Sequence, residues 1–535
     1  LRWVRKPRDL KKFHTVRVVG AGPTLRIYVD DILELECLDR HPSAGSFYLR
    51  GVADFDNIRV SDDVAANEAL MVLPEDGGKD FMEENSYVRL NIGGPRVKDR
   101  ALVFRKDQAV RLPVQIVNWT EESRHIRVRA FIDRFGDALA GEPQEMEISI
   151  GRRNKKIKNF QFQRIGPGFY QLNLTLLRGK DAIRTTAYPV FVGVPDKPVD
   201  SGRPAFPFGV FLRTIVWKPI HTKTYWHAIA SSMREHDFNT VVATGGCHRE
   251  FPEIFRHYGI FTLVRSENRI EHPAVLGVLS SATDPEQMLK RQGAQKKFVL
   301  TYQRVEYVGS SSEKDPLEIW KETAPRIRLL RIHPFKRGKK NWLAGEDNEL
   351  PLQEALERVD REFDTPWWAL LQACGDEGTY RNPTPAELRA ETHLAIAHGA
   401  AGVLYYSFQG GRELRALVQP ISLKPVDSKL RTLGELGALV EKNAELIRTL
   451  KPGKHAVRCG EKKVVVVSLL SKGKLAIYAI NTDANKRVSC ALTFQRQKPL
   501  GQVYDVYADK KLNSVDTTLS LDLKPGEGRL LLFKK

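Results

Sequence analysis

The chain has 535 residues, of which 42% are hydrophobic and 28% charged, and its net charge is +19. A single hydrophobic core stops growing near about 250–300 residues and a membrane-spanning helix needs roughly 20 apolar residues in a row, so we expect several domains and no membrane span. The positive charge favours an anionic partner, and because no helix-turn-helix, zinc-finger or RNA-recognition signature is present, we expect an acidic polysaccharide rather than nucleic acid.

Residues 1–62 predict short antiparallel β-strands. The runs FHTVRVV, TLRIYVDD, SFYLRG and FDNIRV alternate apolar with polar side chains, and Gly20-Ala21-Gly22-Pro23 marks a hairpin turn. The phrases HTVRVVGAGPTLRIYVDD and GSFYLRGVADFDNIRVSD resemble the closing strands of a concanavalin-like, lectin-type jelly roll. Such a half-module leaves a sheet edge uncovered, so we expect the missing strands to come from the N-terminal fragment of the same precursor, cut just before Leu1.

The next segments predict a linker and a second β-domain. Residues 63–84 are typical of a linker or short helix, and residues 85–195 carry strands at the spacing of an immunoglobulin-like β-sandwich. The stretch Pro195–Pro207 contains four prolines and predicts a stiff boundary.

Residues 206–452 predict a (β/α)8 barrel. Eight apolar strand candidates occur there, at 206–212, 239–244, 260–265, 274–280, 297–303, 326–333, 366–374 and 402–408. Most are followed by a helical pattern, and eight such strand–helix repeats are what a (β/α)8 barrel requires. Residues 455–535 return to short strands and predict a C-terminal β-sandwich. The expected fold class is therefore multidomain α/β plus all-β, a TIM barrel flanked by β-sandwich domains.

The most informative local pattern is PWWALLQACGDEGTYRNPTPAELRAETHLAIAHGAAGVLYYSF, residues 366–408. It reads as a strand, a helix that begins at a Thr384–Glu387 capping box, and a second strand. This wording resembles the last two βα units of the TIM-barrel domain in bacterial glycoside-hydrolase-like proteins, and residues 455–535 resemble the small sandwich that closes many glycosidase barrels. The resemblance implies a carbohydrate substrate.

Cleavage of a glycosidic bond needs two carboxyl groups, roughly 5–9.5 Å apart. In the barrels that this chain resembles, the two acids come from the ends of strands four and seven. The resemblance therefore implies Glu377 or Asp376 after strand seven and Asp284 or Glu286 near strand four.

Each of these acids also has a structural interpretation. The segment Asp376-Glu377-Gly378 fits a solvated turn, and Thr283–Glu286 fits a helix capping box. The related barrels read Asp-Glu-Pro near strand four, and this chain does not. If strand four supplies no acid, the barrel binds glycan without cleaving it, or another group such as His333 donates the proton. His333 could equally be a satisfied histidine that closes strand six.

Further candidates for substrate binding follow the predicted strands at the mouth of the barrel. They are Arg213, Trp217, Arg249, Arg304, His333, Lys339, Lys340, Trp342, Gln372, Arg381 and Tyr406. Arginine and lysine suit sulfate or uronate groups, and tryptophan stacks on sugar rings. The cationic loop 335–342 also fits a solvated surface loop.

Two function hypotheses remain open from the sequence. The first is a glycoside hydrolase acting on a polysaccharide, with anionic polysaccharide as one option. The alternative is a noncatalytic carbohydrate-binding or surface-assembly protein that keeps the barrel as a scaffold. The five cysteines lack Cys-x-x-Cys spacing and predict free thiols, and no cofactor or metal site is implied. The resemblance implies an extracellular, cell-surface or periplasmic location.

Overall fold

The computed structural model describes residues 16–21, 24–29, 32–38, 70–74, 88–92, 102–106, 108–118, 122–152, 154–163, 165–178, 181–212, 222–243, 250–265, 272–280, 298–304, 327–335, 337–338, 352, 356–357, 359, 366–376, 378–409, 414–420, 422–453, 457–495, 502–513 and 517–534. The chain divides into two compact units. The first comprises residues 1–194 and 219–225, and the second comprises residues 195–218 and 226–535.

The first unit consists mainly of β-strands. They are β1 (Val16–Ala21), β2 (Thr24–Val29), β3 (Ile32–Leu38), β4 (Leu70–Pro74), β5 (Val88–Ile92), β6 (Leu102–Arg105), β7 (Val110–Asn118), β8 (Arg124–Asp133), β9 (Gln144–Ile150), β10 (Lys155–Phe162), β11 (Gly168–Arg178) and β12 (Asp181–Val194). The sheets have the orders β1-β2-β3, β10-β7-β5-β4 and β6-β12-β11-β8-β9. β1 and β2 pair antiparallel up to Ala21↔Thr24, which is consistent with the predicted hairpin.

The two larger sheets share one hydrophobic core. Along β8, the buried side chains of Ile126, Val128 and Ala130 alternate with more exposed ones, as a strand with one buried face requires. The linker predicted over residues 63–84 is wrong for Leu70–Pro74, which forms β4 and pairs antiparallel with β5. The apolar run LMVLP can join the sheet because β5 satisfies its backbone hydrogen bonds, a partner that the local sequence does not reveal.

Eight parallel strands close a barrel in sequence order. The elements from Phe208 to Arg415 are β13 (Phe208–Leu212), α1 (Thr222–Glu235), β14 (Thr240–Ala243), α2 (Glu250–His257), β15 (Phe261–Arg265), β16 (Val275–Ser280), β17 (Phe298–Arg304), β18 (Ile327–Ile332), β19 (Trp367–Gln372), β20 (Gly375–Asp376), α3 (Pro385–Ala397), β21 (Val403–Tyr406) and β22 (Leu414–Arg415). The barrel order is β13-β14-β15-β16-β17-β18-β19-β21, so the predicted barrel is confirmed. Each observed strand falls within one or two residues of a predicted one.

Alternate side chains of the barrel strands fill its interior. Among those packed together there are Val242, Leu263, Leu329, Leu370 and Leu404. Residues two positions further along a strand point to the same side, so Arg331, Gln372 and Tyr406 follow Leu329, Leu370 and Leu404 toward the carboxyl ends of their strands. This is the end at which TIM barrels carry their active sites.

Helix α3 begins with the predicted capping box. The Thr384 hydroxyl accepts the N–H of Glu387, and a carboxylate oxygen of Glu387 accepts the N–H of Thr384 at 2.9 Å, which satisfies two otherwise unpaired donors. Pro385 occupies the first turn, where no donor is lost. The cap prediction is confirmed.

The barrel is followed by α4 (Lys429–Ile447) and then by β-strands. These are β23 (Leu450–Pro452), β24 (Val457–Cys459), β25 (Val464–Ser471), β26 (Lys474–Asn481), β27 (Val488–Phe494), β28 (Gln502–Asp505), β29 (Lys510–Leu512), β30 (Thr518–Leu523) and β31 (Gly528–Lys534). They form a six-stranded sheet, β23-β25-β26-β31-β28-β29, and a three-stranded sheet, β24-β27-β30, with one shared core.

Helix α3 contacts the six-stranded sheet through a buried polar cluster. His393 Nδ1 lies 2.8 Å from the Tyr478 hydroxyl, which in turn lies 2.6 Å from the Tyr507 hydroxyl. We call His393, Tyr478 and Tyr507 the interface cluster. Gly528 makes the close approach possible, since a Cβ atom there would lie 2.4 Å from Cγ of His393.

Candidate active site at the barrel mouth

Four side chains from three neighbouring parts of the barrel meet at the carboxyl ends of the strands. Arg331 lies on β18, His333 follows it, Tyr380 comes from the loop after β19, and Tyr406 ends β21. The His333 ring lies 5.7 Å from the Tyr380 ring and 5.6 Å from the Tyr406 ring. We call these four residues the mouth cluster.

The Arg331 guanidinium lies against both tyrosine rings. Its Cζ atom is 5.9 Å from the centre of Tyr380 and 5.7 Å from the centre of Tyr406, within the range of cation–π attraction. Arg331 is only 8% exposed, yet within the described part of the chain no Asp or Glu forms an ion pair with it. A buried cation without a carboxylate partner is costly unless something else compensates its charge.

His333 receives hydrogen bonds from Arg331. Arg331 Nε and Nη2 lie 3.0 and 2.7 Å from His333 Nδ1. A guanidinium can only donate, so His333 Nδ1 accepts both of these hydrogen bonds. These hydrogen bonds support the interpretation of His333 as a histidine whose hydrogen bonding is satisfied within the protein. They also hold its ring beside the two tyrosines.

Gln372 ties together the loops that come after β18 and β19. Its Oε1 accepts the N–H of Phe335 at 3.0 Å, and its Nε2 donates to the carbonyl oxygens of Cys374 and Arg381 at 3.0 and 2.9 Å. The side chain is fully buried. These bonds give Gln372 a positioning role, and binding of substrate by its amide stays a prediction.

Asp376 stabilises the turn that carries Tyr380. Its Oδ1 accepts the backbone N–H groups of Gly378, Thr379 and Tyr380 at 3.0, 2.6 and 2.8 Å. Its carbonyl oxygen accepts a hydrogen bond from Arg337 Nε at 3.1 Å. This geometry favours the turn interpretation for Asp376, and it leaves Glu377 as the stronger candidate acid after strand seven.

Arg381 is held by the cap of α3. Its Nη1 donates to Glu387 Oε2 at 2.8 Å and its Nη2 to Oε1 at 2.5 Å, a bidentate pair. Its guanidinium also lies 4.9 Å from the Phe335 ring centre. The described contacts of Arg381 are therefore structural, and its role as a substrate ligand stays a prediction.

Three buried ionisable groups surround the end of β19. Burial raises the pKa of the Cys374 thiol to about 12, although the positive charges of Arg331 and Lys429 oppose the shift, so the thiol is neutral at pH 7 and not a nucleophile. Burial lowers the pKa of Lys429, which pairs with Asp427 at 3.0 Å. Burial also raises the pKa of Glu391 well above its usual range, although the hydrogen bond that its Oε1 accepts from the Gln372 N–H, at 3.1 Å, opposes this.

Several residues named from the sequence lie outside the described residues. They are Glu377, Asp284, Glu286, Arg213, Trp217, Arg249, Lys339, Lys340 and Trp342. Arg304 ends β17 in register with Arg331, and the structure describes its backbone only. Of the predicted binding residues, the structure brings together His333 and Tyr406 by their rings, and Gln372 and Arg381 by a hydrogen bond to the Arg381 backbone.

Arg331 was not among the residues predicted from the sequence. The run Arg328-Leu329-Leu330-Arg331-Ile332-His333 indicates the position of Arg331. Arg331 lies two residues after Leu329 on the same strand, so it faces the barrel interior as Leu329 does. Strand parity read from the known interior of a barrel would have found it.

The described residues contain no cluster of three or more His, Cys, Asp or Glu side chains placed to hold a metal ion. No helix in the described ranges is long and apolar enough to cross a membrane.

Comparison with known proteins gives structural likenesses only. No family model matches the chain. No curated protein sequence matches it either. Among solved structures, the chain is similar to a family 39 glycoside hydrolase from the gut symbiont Bacteroides cellulosilyticus WH2, with 14% identity over 81% of this chain and 99% of that one and a TM-score of 0.40. It is also similar to a Paenibacillus cycloisomaltooligosaccharide glucanotransferase, with 8% identity over 81% and 98% of the two chains and a TM-score of 0.44.

A third similar structure is α-galactosidase I from Mortierella vinacea, with 10% identity over 62% of this chain and 98% of that one and a TM-score of 0.39.

Proposed function

We propose that this protein is a glycoside-hydrolase-like carbohydrate-active protein whose barrel mouth binds an anionic polysaccharide. The observation that supports the proposal is the buried Arg331 guanidinium at the carboxyl ends of the strands, flanked by tyrosine rings and without a described carboxylate partner. A uronate or sulfate group would supply the missing negative charge in a planar or forked hydrogen-bonding geometry that arginine suits. Tyr380 and Tyr406 would contact the sugar ring.

For cleavage, we propose Glu377 as one carboxyl group and Asp284 or Glu286 as the other. Asp376 is less suited because three backbone N–H groups already bind its Oδ1. One acid would protonate the leaving oxygen, and the other would attack the sugar or activate water. We also retain as a proposal an extracellular, cell-surface or periplasmic location.

The test is to incubate the protein with matched neutral, uronate-containing and sulfated polysaccharides and to measure both binding and released reducing ends. We expect Glu377→Gln to abolish cleavage while binding persists. Binding without cleavage by the unmodified protein would instead support the noncatalytic scaffold. Absence of binding to every glycan would contradict the proposal.

Arg331→Gln tests the anionic specificity. We expect it to weaken binding of a uronate or sulfated glycan at least about tenfold, since hydrogen bonds to charged groups contribute about 1.5–3 kcal/mol, and to leave neutral glycans unaffected. Arg328→Gln is the matched control, because it removes the same charge from the same strand on the opposite face. Equal effects of the two substitutions would remove Arg331 from substrate recognition.

A further inference from the structure

A second cationic surface lies in the first unit, on the connection between β9 and β10. The sequence there is Arg152-Arg153-Asn154-Lys155-Lys156-Ile157-Lys158, five cations in seven residues. Arg153 lies outside the described residues, and Arg152, Lys155, Lys156 and Lys158 are all exposed. We call these four the basic strand end.

The start of β10 is exposed on both of its faces. Its first five residues are accessible to solvent, and Ile157, between two lysines, is 51% exposed. Lys156 and Lys158 lie on the same face of β10 as Phe160 and Phe162, which are buried in the core. The first half of this strand therefore presents lysines on both of its faces, although Lys156 and Lys158 pair with the buried Ile116 and Val114 of β7.

The positive charge of the basic strand end is not neutralised by the described residues around it. None of its four cations forms an ion pair with a described residue. Two acids on neighbouring elements have described partners: Glu122 pairs with Arg124 at 3.1 Å and Glu145 with Arg129 at 2.5 Å. A polyanion would meet a surface on which no described carboxylate competes for the lysines.

The connection is held in place by hydrogen bonds. Asn118 Nδ2 donates to the carbonyl oxygen of Gly151 at 2.9 Å, and the Asn118 N–H donates to the carbonyl oxygen of Asn154 at 2.8 Å. Asn154 Oδ1 accepts the Lys155 N–H at 2.7 Å. The lysines are thus presented on a fixed backbone, which reduces the entropy lost when a ligand binds.

We propose that the basic strand end binds a sulfated polysaccharide, as a site separate from the barrel mouth. The proposal rests on the proposed function for its choice of glycan. Nucleic acid is less suited because the aromatic side chains of β10, Phe160 and Phe162, are buried and cannot stack on bases. Exposed lysines flanking an apolar residue favour a flexible chain of sulfates, which makes point-charge contacts without stacking.

Lysines on an edge strand can have another role. Among the described strands, β10 lies at the edge of its sheet, and charged side chains on edge strands prevent pairing with other molecules. The two roles differ in what neutralisation does. Loss of a binding site lowers affinity for a polyanion, whereas loss of edge protection produces aggregation.

The experiment measures the binding of fluorescently labelled heparin to the full chain and its Lys155→Gln/Lys156→Gln/Lys158→Gln variant, with size-exclusion chromatography of both. We expect affinity at physiological salt to fall about tenfold, the salt dependence to become shallower, and the variant to stay in the same oligomeric state. The matched control is Lys472→Gln/Lys474→Gln/Lys510→Gln, which removes the same net charge from exposed positions of the C-terminal sheet.

Equal loss in the control, or unchanged heparin affinity with aggregation, would overturn the proposal. So would tighter binding of a single-stranded oligonucleotide than of heparin. Because heparin carries the uronate and sulfate groups proposed for the mouth, the comparison is repeated with Arg331→Gln present in every protein. The loss caused by the three lysine substitutions should persist there, and its disappearance would assign heparin binding to the mouth instead.

Discussion

The mouth cluster and the interface cluster each combine a buried histidine with two tyrosines, yet their chemical surroundings differ. In the interface cluster, His393 and the hydroxyls of Tyr478 and Tyr507 form a hydrogen-bonded chain. Burial lowers the pKa of His393 to about 3, with a smaller contribution from Arg389. This histidine is therefore neutral at pH 7, and its contacts stabilise the packing of α3 on the six-stranded sheet.

In the mouth cluster, the tyrosines surround a guanidinium instead. Arg331 lies between two rings and donates to His333, and the cluster ends in Tyr406, which is only partly buried. The comparison teaches that a buried histidine with tyrosines does not identify a site. A buried charge without a described protein counter-ion, at the end of the barrel that carries chemistry, is the more specific sign.

The largest effect that we expect on stability is at His393. His393→Ala removes a hydrogen bond to Tyr478 and leaves a cavity between α3 and the six-stranded sheet, so the free energy of unfolding should fall by about 2–4 kcal/mol. Urea unfolding followed by tryptophan fluorescence measures it. Glycan binding by the folded variant should stay unchanged, and a loss of binding there would break the distinction between the two clusters.

The second effect is the pH dependence caused by His393. Its pKa is depressed in the folded state, to about 3 from an ordinary 6.5, so the unfolded chain binds the proton first. Stability from this group is fully present above pH 6.5 and falls as the pH drops toward 3, by about 1.4 kcal/mol per pH unit. His393→Gln should flatten the acid side of the unfolding free energy against pH. An identical slope in both proteins would exclude His393 as the cause.

A smaller pH dependence of stability, of opposite sign, is expected from Glu391, whose Oε1 accepts the backbone N–H of Gln372. Its pKa is raised by burial, so its contribution to stability is present below the ordinary carboxyl pKa of 4.5 and is lost as the pH rises toward the folded value. Glu391→Gln keeps an oxygen to accept the Gln372 N–H and should increase stability at pH 8 by about 1–3 kcal/mol. The gain should disappear at pH 4. A gain of equal size at both values would point to packing instead of ionisation.

The smallest stability change is expected at His333. His333→Asn keeps a side-chain oxygen that can accept a hydrogen bond from Arg331 but moves that acceptor, and it leaves the guanidinium against both tyrosine rings, so the free energy of unfolding should change by no more than about 1 kcal/mol. Binding of a uronate glycan should weaken because Arg331 loses its orientation. A large stability loss with normal binding would place His333 with His393, as a packing residue.

Local sequence patterns predicted much of the fold around the site. The eight strand runs and the Thr384–Glu387 cap are short-range signals, since apolar runs and capping residues act within one element. The sequence also named His333 and Tyr406 as mouth residues because both come at the ends of barrel strands. The sequence could not separate these two residues from Gln372 and Arg381, which are also polar and also follow barrel strands. In the structure, the side chains of Gln372 and Arg381 form hydrogen bonds with Phe335 and Glu387.

The sequence by itself determined where the eight strands of the barrel lie and that the protein carries an excess of positive charge. Only the tertiary structure decided which cations are compensated. Arg381 forms an ion pair with Glu387, six residues away in the chain, and Lys429 forms one with Asp427. Arg331 instead lies against the rings of Tyr380 and Tyr406, which come from other parts of the barrel. The physical reason is that charge compensation depends on distance in space, and closing the barrel brings together residues that are far apart in sequence.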